Sequence, residues 1–339
     1  MDFNATTVDS NRKKLYDVLI IGGSYAGLSA ALTLYRATHT CLIFDSGVPR
    51  NAKSTQTRLT SGWEGEDPKT MREKSRAELE SSGLVDFVAS SVQTARKLED
   101  GTFQVADGND KIWNGRKILL STGVNEIYPQ IPGYAENYGT SIYYCMFCFG
   151  YEQRGSRTAG LLASGQLSHP GHALTNAQDA HKFAESVTIF TNGSPALADE
   201  LSQKTVAGIR VNDQKLKRFI KEPDADNIKV EFENGEIESF SFLVHKPDLE
   251  IDASLPKQLG LECVPGFGIK VTPPFNQTSV EGVYAAGDCC SPLRMIPNAM
   301  NMGAFAGCGL ARELPRGAFV MPEKVKESSG LVESTAIQI

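Results

Sequence analysis

Between Leu15 and Asp45 the chain reads as strand, glycine turn, helix and strand, and this ordered unit limits the fold more tightly than any other stretch. Tyr16-Asp17-Val18-Leu19-Ile20-Ile21 is an apolar run of strand length, Leu28 to Ala37 is an Ala- and Leu-rich helical stretch, and Cys41-Leu42-Ile43-Phe44 is a second buried strand. Between the first strand and the helix lies Gly22-Gly23-Ser24-Tyr25-Ala26-Gly27. In a G-x-G-x-x-G turn the first glycine closes the turn, the second lets a pyrophosphate approach the backbone, and the third lets helix and strand pack closely. Ser24 takes the second place; it is small and offers a hydroxyl to phosphate. The spacing predicts a dinucleotide site with pyrophosphate at the helix N-terminus, on Gly22, Ser24 and Gly27. Asp45, at the end of the second strand, would bind ribose hydroxyls and repel a 2′-phosphate. A glycine turn without a ligand is the competing reading.

The remainder fits a discontinuous α/β protein of about two domains. A stretch rich in Ser, Thr, Gly and Lys, from Pro49 to Pro68, reads as mobile. It is followed by a helix from about Lys69 to Ser82, a strand pair around Phe87 to Val105, and a buried strand ending in Ser121-Thr122-Gly123. A second α/β pattern runs from Thr158 through a helix at Ala173 to Ala184 and a strand at Val187 to Thr191, closing near Phe242 to His245. Strands at Ile269 to Val271 and Gly282 to Ala286, then a small-residue helix at Pro297 to Leu310, return to the first domain. The expectation is an outer domain over residues 1–125 and 246–339 and an inserted domain over 126–245. The tail, Met321 to Ile339, is expected to be mobile or partner-dependent.

A formal net charge of -6, with no basic run interleaved with aromatics, argues against nucleic acid as a partner. The N-terminus lacks the apolar core of a secretory signal and the longest apolar runs are strand-sized, so a cytoplasmic protein without a membrane span is expected. In a reducing compartment seven cysteines do not suggest a disulfide framework.

The one C-x-x-C, Cys145-Met146-Phe147-Cys148, is placed as an easily cycled redox pair at a helix start, where the dipole would lower a thiol pKa. Zinc is the weaker reading: the nearest further ligands, Cys289 and Cys290, are adjacent to one another, and no metal site is expected. Those two read as small buried residues, because adjacent cysteines form strained, rare disulfides.

Val283-Tyr284-Ala285-Ala286-Gly287-Asp288 resembles the second flavin motif of two-dinucleotide-domain flavoproteins, which favours FAD over NAD. Ser121-Thr122-Gly123 is similar to the Ala-Thr-Gly strand end that marks the domain crossing in that group. Pro297-Asn298-Ala299 stands where thioredoxin reductases carry Arg-Gln-Ala beside the isoalloxazine. From Asp17 to about Leu314 the chain resembles the low-molecular-weight thioredoxin reductases and, through Cys-x-x-Cys-x-Gly-Tyr-Glu, their fungal gliotoxin-type dithiol oxidase branch. That resemblance implies two Rossmann-like domains, the second inserted into the first, in a three-layer ββα/αβ fold. It also implies a homodimer and FAD held by the outer domain, with Thr122, Gly123, Gly287, Asp288, Asn298 and Ala299 joining the first motif. Cys148 is implied to face flavin C4a and Cys145 to meet the substrate.

A reductase needs a second nucleotide turn, and the inserted domain reads Leu161-Leu162-Ala163-Ser164-Gly165-Gln166-Leu167-Ser168-His169-Pro170, with one of three glycines. After the next strand comes Thr191-Asn192-Gly193 in place of a basic cluster. The expected reaction is therefore oxidation of a small dithiol, of the epidithiodiketopiperazine type, through Cys145 and Cys148 to FAD and then O2, releasing H2O2. An NADPH-dependent disulfide reductase is the alternative. Relatives have Asp or His where this chain has Phe149, so Glu152, Tyr144 and His172 stand as candidate bases. Phe147, Phe149 and Tyr151 either line an apolar substrate site or pack in the core.

Overall fold

A computed structural model describes residues 14–223 and 226–315. The tail from Met321 lies outside the described residues. The described residues divide into two compact units: residues 14–52, 68–124 and 251–315 form one, and residues 53–67, 125–223 and 226–250 the other.

The first unit begins with β1 (Leu15–Ile21), α1 (Tyr25–Arg36) and β2 (Cys41–Phe44). After α2 (Pro68–Ser81) come β3 (Val85–Val88), β4 (Val92–Lys97), β5 (Phe103–Asp107) and β6 (Ile112–Leu120). The helix α1 starts at Tyr25, three residues before the sequence expectation, because Ser24 already acts as its N-cap with extended backbone. The strand pair expected around Phe87 to Val105 proves to be three strands: β3 runs parallel to β2, and β4 and β5 pair antiparallel.

The second unit carries β7 (Asn125–Ile127), α3 (Tyr134–Asn137), β8 (Ile142–Tyr143), α4 (Met146–Phe149) and β9 (Ser156–Leu162). It continues with α5 (Pro170–His181), β10 (Ala184–Phe190), α6 (Pro195–Ser202) and β11 (Ile209–Asn212). An antiparallel trio follows, β12 (Leu216–Ile220), β13 (Ile228–Phe232) and β14 (Ile237–Phe240), then β15 (Phe242–Val244) and β16 (Asp248–Glu250). Its main sheet is parallel, in the order β11-β10-β9-β15-β8. α5 begins at Pro170, earlier than the sequence suggested, since a proline fits the first helical turn, where its missing N–H is not needed.

The chain re-enters the first unit through α7 (Ser254–Gln258), β17 (Cys263–Val264), β18 (Gly268–Ile269) and β19 (Val283–Ala285), and the last described helix is α8 (Ile296–Glu313). The sheet order is β3-β2-β1-β6-β5-β4, with β19 parallel to the C-terminal half of β6. Strands buried on both faces read as continuous apolar runs, which is why β1, β2 and the end of β6 were legible. Both units are α/β with a parallel core, the arrangement of two Rossmann-like domains that the sequence led us to expect.

Two boundaries move. Residues 53–67, assigned to the outer domain by position along the chain, pack with the second unit, and that unit extends to Glu250, where β16 pairs antiparallel with β7. The segment is not slack: Thr57 N donates to Glu66 O (2.6 Å), Gly65 N to Thr57 O (2.9 Å) and Leu59 N to Glu64 Oε2 (2.8 Å). Its turns are closed by hydrogen bonds that composition does not reveal.

Candidate active site

In the first unit, the glycine turn is shaped by contact with its neighbours. A Cβ on Gly27 would fall 2.1 Å from the carbonyl oxygen of Gly22, so only glycine lets α1 come this close to the turn. Ser121 Oγ donates to Gly22 O (2.9 Å) and fastens the turn to the end of β6. Asp45 follows β2 directly, packed against Gly23, and its Oδ1 accepts from Gly47 N (2.9 Å). Ser24 makes no side-chain cap, and the first turn of α1 has no acidic residue, leaving its N–H groups for an anion.

The second motif meets the first. Gly287, with φ +83°, faces the Cβ atoms of Ala26 on α1 and Ala299 on α8, so the positions Gly287 and Ala299 converge on the glycine turn. Thr122 and Gly123 follow β6 beside buried Cys289, whose Sγ donates to Leu120 O and Ala286 O (3.5 Å each). Asp288 pairs with Arg50 (Nη1 to Oδ2, 3.1 Å). Asn298 is turned inward: its Nδ2 donates to Leu293 O (2.6 Å) and Ser291 Oγ (3.2 Å), fixing the loop before α8. Arg294, in the same loop, has a buried Nε without a partner. Sequence reading passed over Arg50 and Arg294. The signal available was a lone arginine five residues after Asp45 and another six after Asp288, in loops that follow strand ends. A cationic loop, two strand-end carboxylates and an uncapped helix N-terminus are a donor set that fits a dinucleotide with an anionic pyrophosphate.

In the second unit Cys145 and Cys148 are joined by a disulfide with Cα atoms 5.3 Å apart. Cys145 is the extended N-cap of α4, and its Sγ accepts from Cys148 N (3.2 Å). α4 has four residues, so the expected dipole effect is slight and the local N–H donor takes its place. Gly150 ends this turn because a Cβ there would lie 2.3 Å from the Phe183 ring, a physical reason for glycine in the Cys-x-x-Cys-x-Gly pattern.

Aromatic rings surround the pair. Tyr143 stacks on Phe149 at 4.9 Å, Phe149 meets Tyr144 edge-on at 5.4 Å, and Tyr144 stacks on Tyr138 at 5.7 Å. Phe149 is thus a packing residue. Phe147, between the cysteines, is 76% exposed, and Tyr151, just after them, is 66% exposed with the Arg154 guanidinium over one face of its ring. Of the candidate bases, Glu152 is ion-paired with Arg58 (2.9 Å), Tyr144 is held between rings, and His172 turns its Nδ1 to Gln166 O (3.2 Å). Burial first, and then the Glu152 charge, raise the Tyr143 phenol above its ordinary range.

The second nucleotide turn is filled by its own side chains. Gln166 Nε2 donates to Pro247 O (2.5 Å) and Gln166 N to Lys246 O (3.0 Å), while His169 Nδ1 caps α5 by accepting from Gly171 N (3.2 Å). Pro170 removes one of the N–H groups a phosphate would use. After β10, Asn192 Oδ1 is spent on Leu216 N (2.8 Å), and the cation beside Gly193 is Lys215, one residue rather than a cluster.

The family model for pyridine nucleotide-disulphide oxidoreductases matches residues 16–303. The chain belongs to that family. It is 36% identical over 311 residues to thioredoxin reductase sirT of Leptosphaeria maculans, covering 87% of this chain and 93% of that one. Thioredoxin reductase tcpT of Claviceps purpurea is 37% identical over 299 residues, covering 86% and 92%. Among solved structures, HlmI matches with a TM-score of 0.79 at 28% identity, covering 88% and 92%. An oxidoreductase from Agrobacterium tumefaciens matches with 0.77 at 29%, covering 88% and 98%. Members are FAD-binding thiol-disulfide oxidoreductases of the thioredoxin reductase type, and the chain is a flavoprotein of that kind. No metal-ligand cluster of three or more residues, and no helix long and apolar enough to cross a membrane, occurs among the described residues.

Proposed function

We propose that the chain is an FAD-dependent dithiol oxidase that closes a disulfide in a small molecule with O2 as acceptor and H2O2 as by-product. The observation that carries this reading is the contrast inside the second unit: the redox pair is intact, while the turn that would hold a pyridine nucleotide is occupied by Gln166, His169 and Pro170. Bound FAD would supply the two-electron store between the cysteine pair and oxygen. Gly22, Ser24, Gly27, Asp45, Thr122, Gly123, Gly287, Asp288 and Ala299 are the residues assigned to hold it, with Asn298 shaping the loop beside it. Cys145 is the sulfur a substrate thiolate attacks, and Cys148 the one on the flavin side. Phe147 and Tyr151 offer apolar surface to a compact substrate such as an epidithiodiketopiperazine-like dithiol. We further propose a homodimer, as the resemblance implies.

The relatives named as thioredoxin reductases favour a second reading, reduction of a protein disulfide by NADPH. Two measurements separate them. Oxygen uptake and peroxide release with small dithiols, abolished by Cys148→Ser, are expected of the oxidase. Rapid anaerobic bleaching of the flavin band by NADPH would give the reductase reading the case.

A further inference from the structure

We propose that Lys246 is a positioning residue for the redox pair: its ammonium lies abreast of Cys145 on one face of the second sheet and steadies the Cys145 thiolate when that sulfur leaves a mixed disulfide. The placement comes from strand register. β15 runs parallel to β8 with Leu243 opposite Ile142 and Val244 opposite Tyr143, and His245 N donates to Tyr143 O (3.0 Å) one step beyond. Continued by one residue, that register sets Lys246 beside Cys145, whose backbone is still extended (φ -149°, ψ 113°).

Alternation fixes the face. Phe242 and Val244 pack with Met146 and the α5 alanines, while Leu243 joins the opposite aromatic cluster and the His245 ring meets Tyr134 there. Lys246 returns to the α5 side, where the Asp179 charge acts on it. On the facing strand Tyr143 packs toward α5 and Tyr144 away from it, so Cys145 comes back to the same side.

The charged and titratable groups facing Lys246 are already engaged. On α5, Asp179 is bridged to Lys182 (2.7 Å) and His172 to Gln166 O; beyond α4, Glu152 is bridged to Arg58; on β8, Tyr143 OH donates to Thr140 O (2.8 Å). Lys246 is half-buried, and among the described residues no carboxylate forms a salt bridge with it. Burial lowers its pKa and Asp179 partly restores it, the signature of a cation short of anionic company. His245 does not supply this charge: burial pushes it down to about 4, and its ring is committed to Tyr134 and Ser164.

The chemical consequence rests on the oxidase reading. With Cys145 in a mixed disulfide, the second substrate thiol loses its proton to solvent and its sulfur attacks the bound substrate sulfur. The substrate S–S bond forms, the Cys145–substrate bond breaks, and the electron pair leaves on Cys145. A leaving thiol of lower pKa departs faster.

The test does not need the substrate. In the FAD-loaded, reduced Cys148→Ser protein, the pH midpoint of Cys145 alkylation is followed by peptide mass mapping, with exposed Cys263 and Cys308 as internal references. Lys246→Met should raise the Cys145 midpoint by about one pH unit, Lys246→Arg should return it, and both references should stay in place. Lys246→Gln carries the comparison if the methionine variant loses its native near-UV spectrum. An unmoved Cys145 midpoint in the neutral variants, or failure of arginine to restore it, overturns the proposal. Absence of oxygen uptake with dithiols would instead remove the oxidase reading and leave the effect on thiol acidity standing.

Discussion

Arg58 Nη2 stands 2.9 Å from Glu152 Oε1, tying residues 53–67 to the turn that follows the redox cysteines. Arg58 also reaches Glu64 (3.3 Å), so one guanidinium serves both the segment's own closure and its anchorage. The ion pair turns this carboxylate toward the guanidinium and engages the oxygen a base would use. Glu152→Gln should therefore leave the limbs of the pH profile for dithiol oxidation unmoved. With Glu152 partly exposed, Arg58→Met should cost about 1 kcal/mol or less of stability, read by urea unfolding. Displacement of the alkaline or acid limb by Glu152→Gln would restore Glu152 as a base.

Gly27→Ala places a methyl group against the Gly22 carbonyl. The turn must open to admit it, at about 1–3 kcal/mol. The variant should purify with less flavin and melt earlier, checked by the visible spectrum and by thermal unfolding with and without added FAD. Full retention of colour and melting temperature would remove the turn from the flavin site.

Phe147 is largely exposed beside the cysteines. If it packs on substrate, Phe147→Ala should raise KM for an apolar dithiol by about fivefold to tenfold, the equivalent of roughly 1 kcal/mol of lost aromatic contact. The rate at which a small hydrophilic dithiol reduces the pair should hardly change. Equal losses for both substrates would mean that the ring supports the turn instead.

His245 is buried, with its pKa depressed to about 4 from an ordinary 6.5. Below pH 6.5 the unfolded chain binds the proton and the folded one does not, so stability is fully present above that pH and declines as pH falls toward 4. The contribution over this window is about 3 kcal/mol. His245→Gln, which can still bond Tyr134 and Ser164, should flatten the pH dependence of urea unfolding between pH 4 and 6.5, and an unchanged slope would assign it to other groups.

The local signals in the chain were enough for the first βαβ unit, the buried end of β6 and the Gly287-Asp288 strand end, because each is a short contiguous pattern whose cause is local: apolar runs buried on both faces, and glycines demanded by close approach. The cysteine spacing was equally plain. Even there, the four-residue α4 replaced the helix dipole with one N–H donor, a length that composition does not set.

What the tertiary structure decided was which distant residues meet. Arg58 reaches Glu152 across about ninety positions of chain, Gly287 finds both Ala26 and Ala299, and residues 53–67 join the second unit rather than the first. Such pairings follow from strand register and from where a connection crosses between units. A register is set by the summed burial of whole faces, so no single motif encodes it. The sequence by itself determined the kind of chemistry, through the redox pair and the dinucleotide turn; only the folded chain determined which charged side chains meet, as Arg58 and Glu152 do in the turn after the sulfurs.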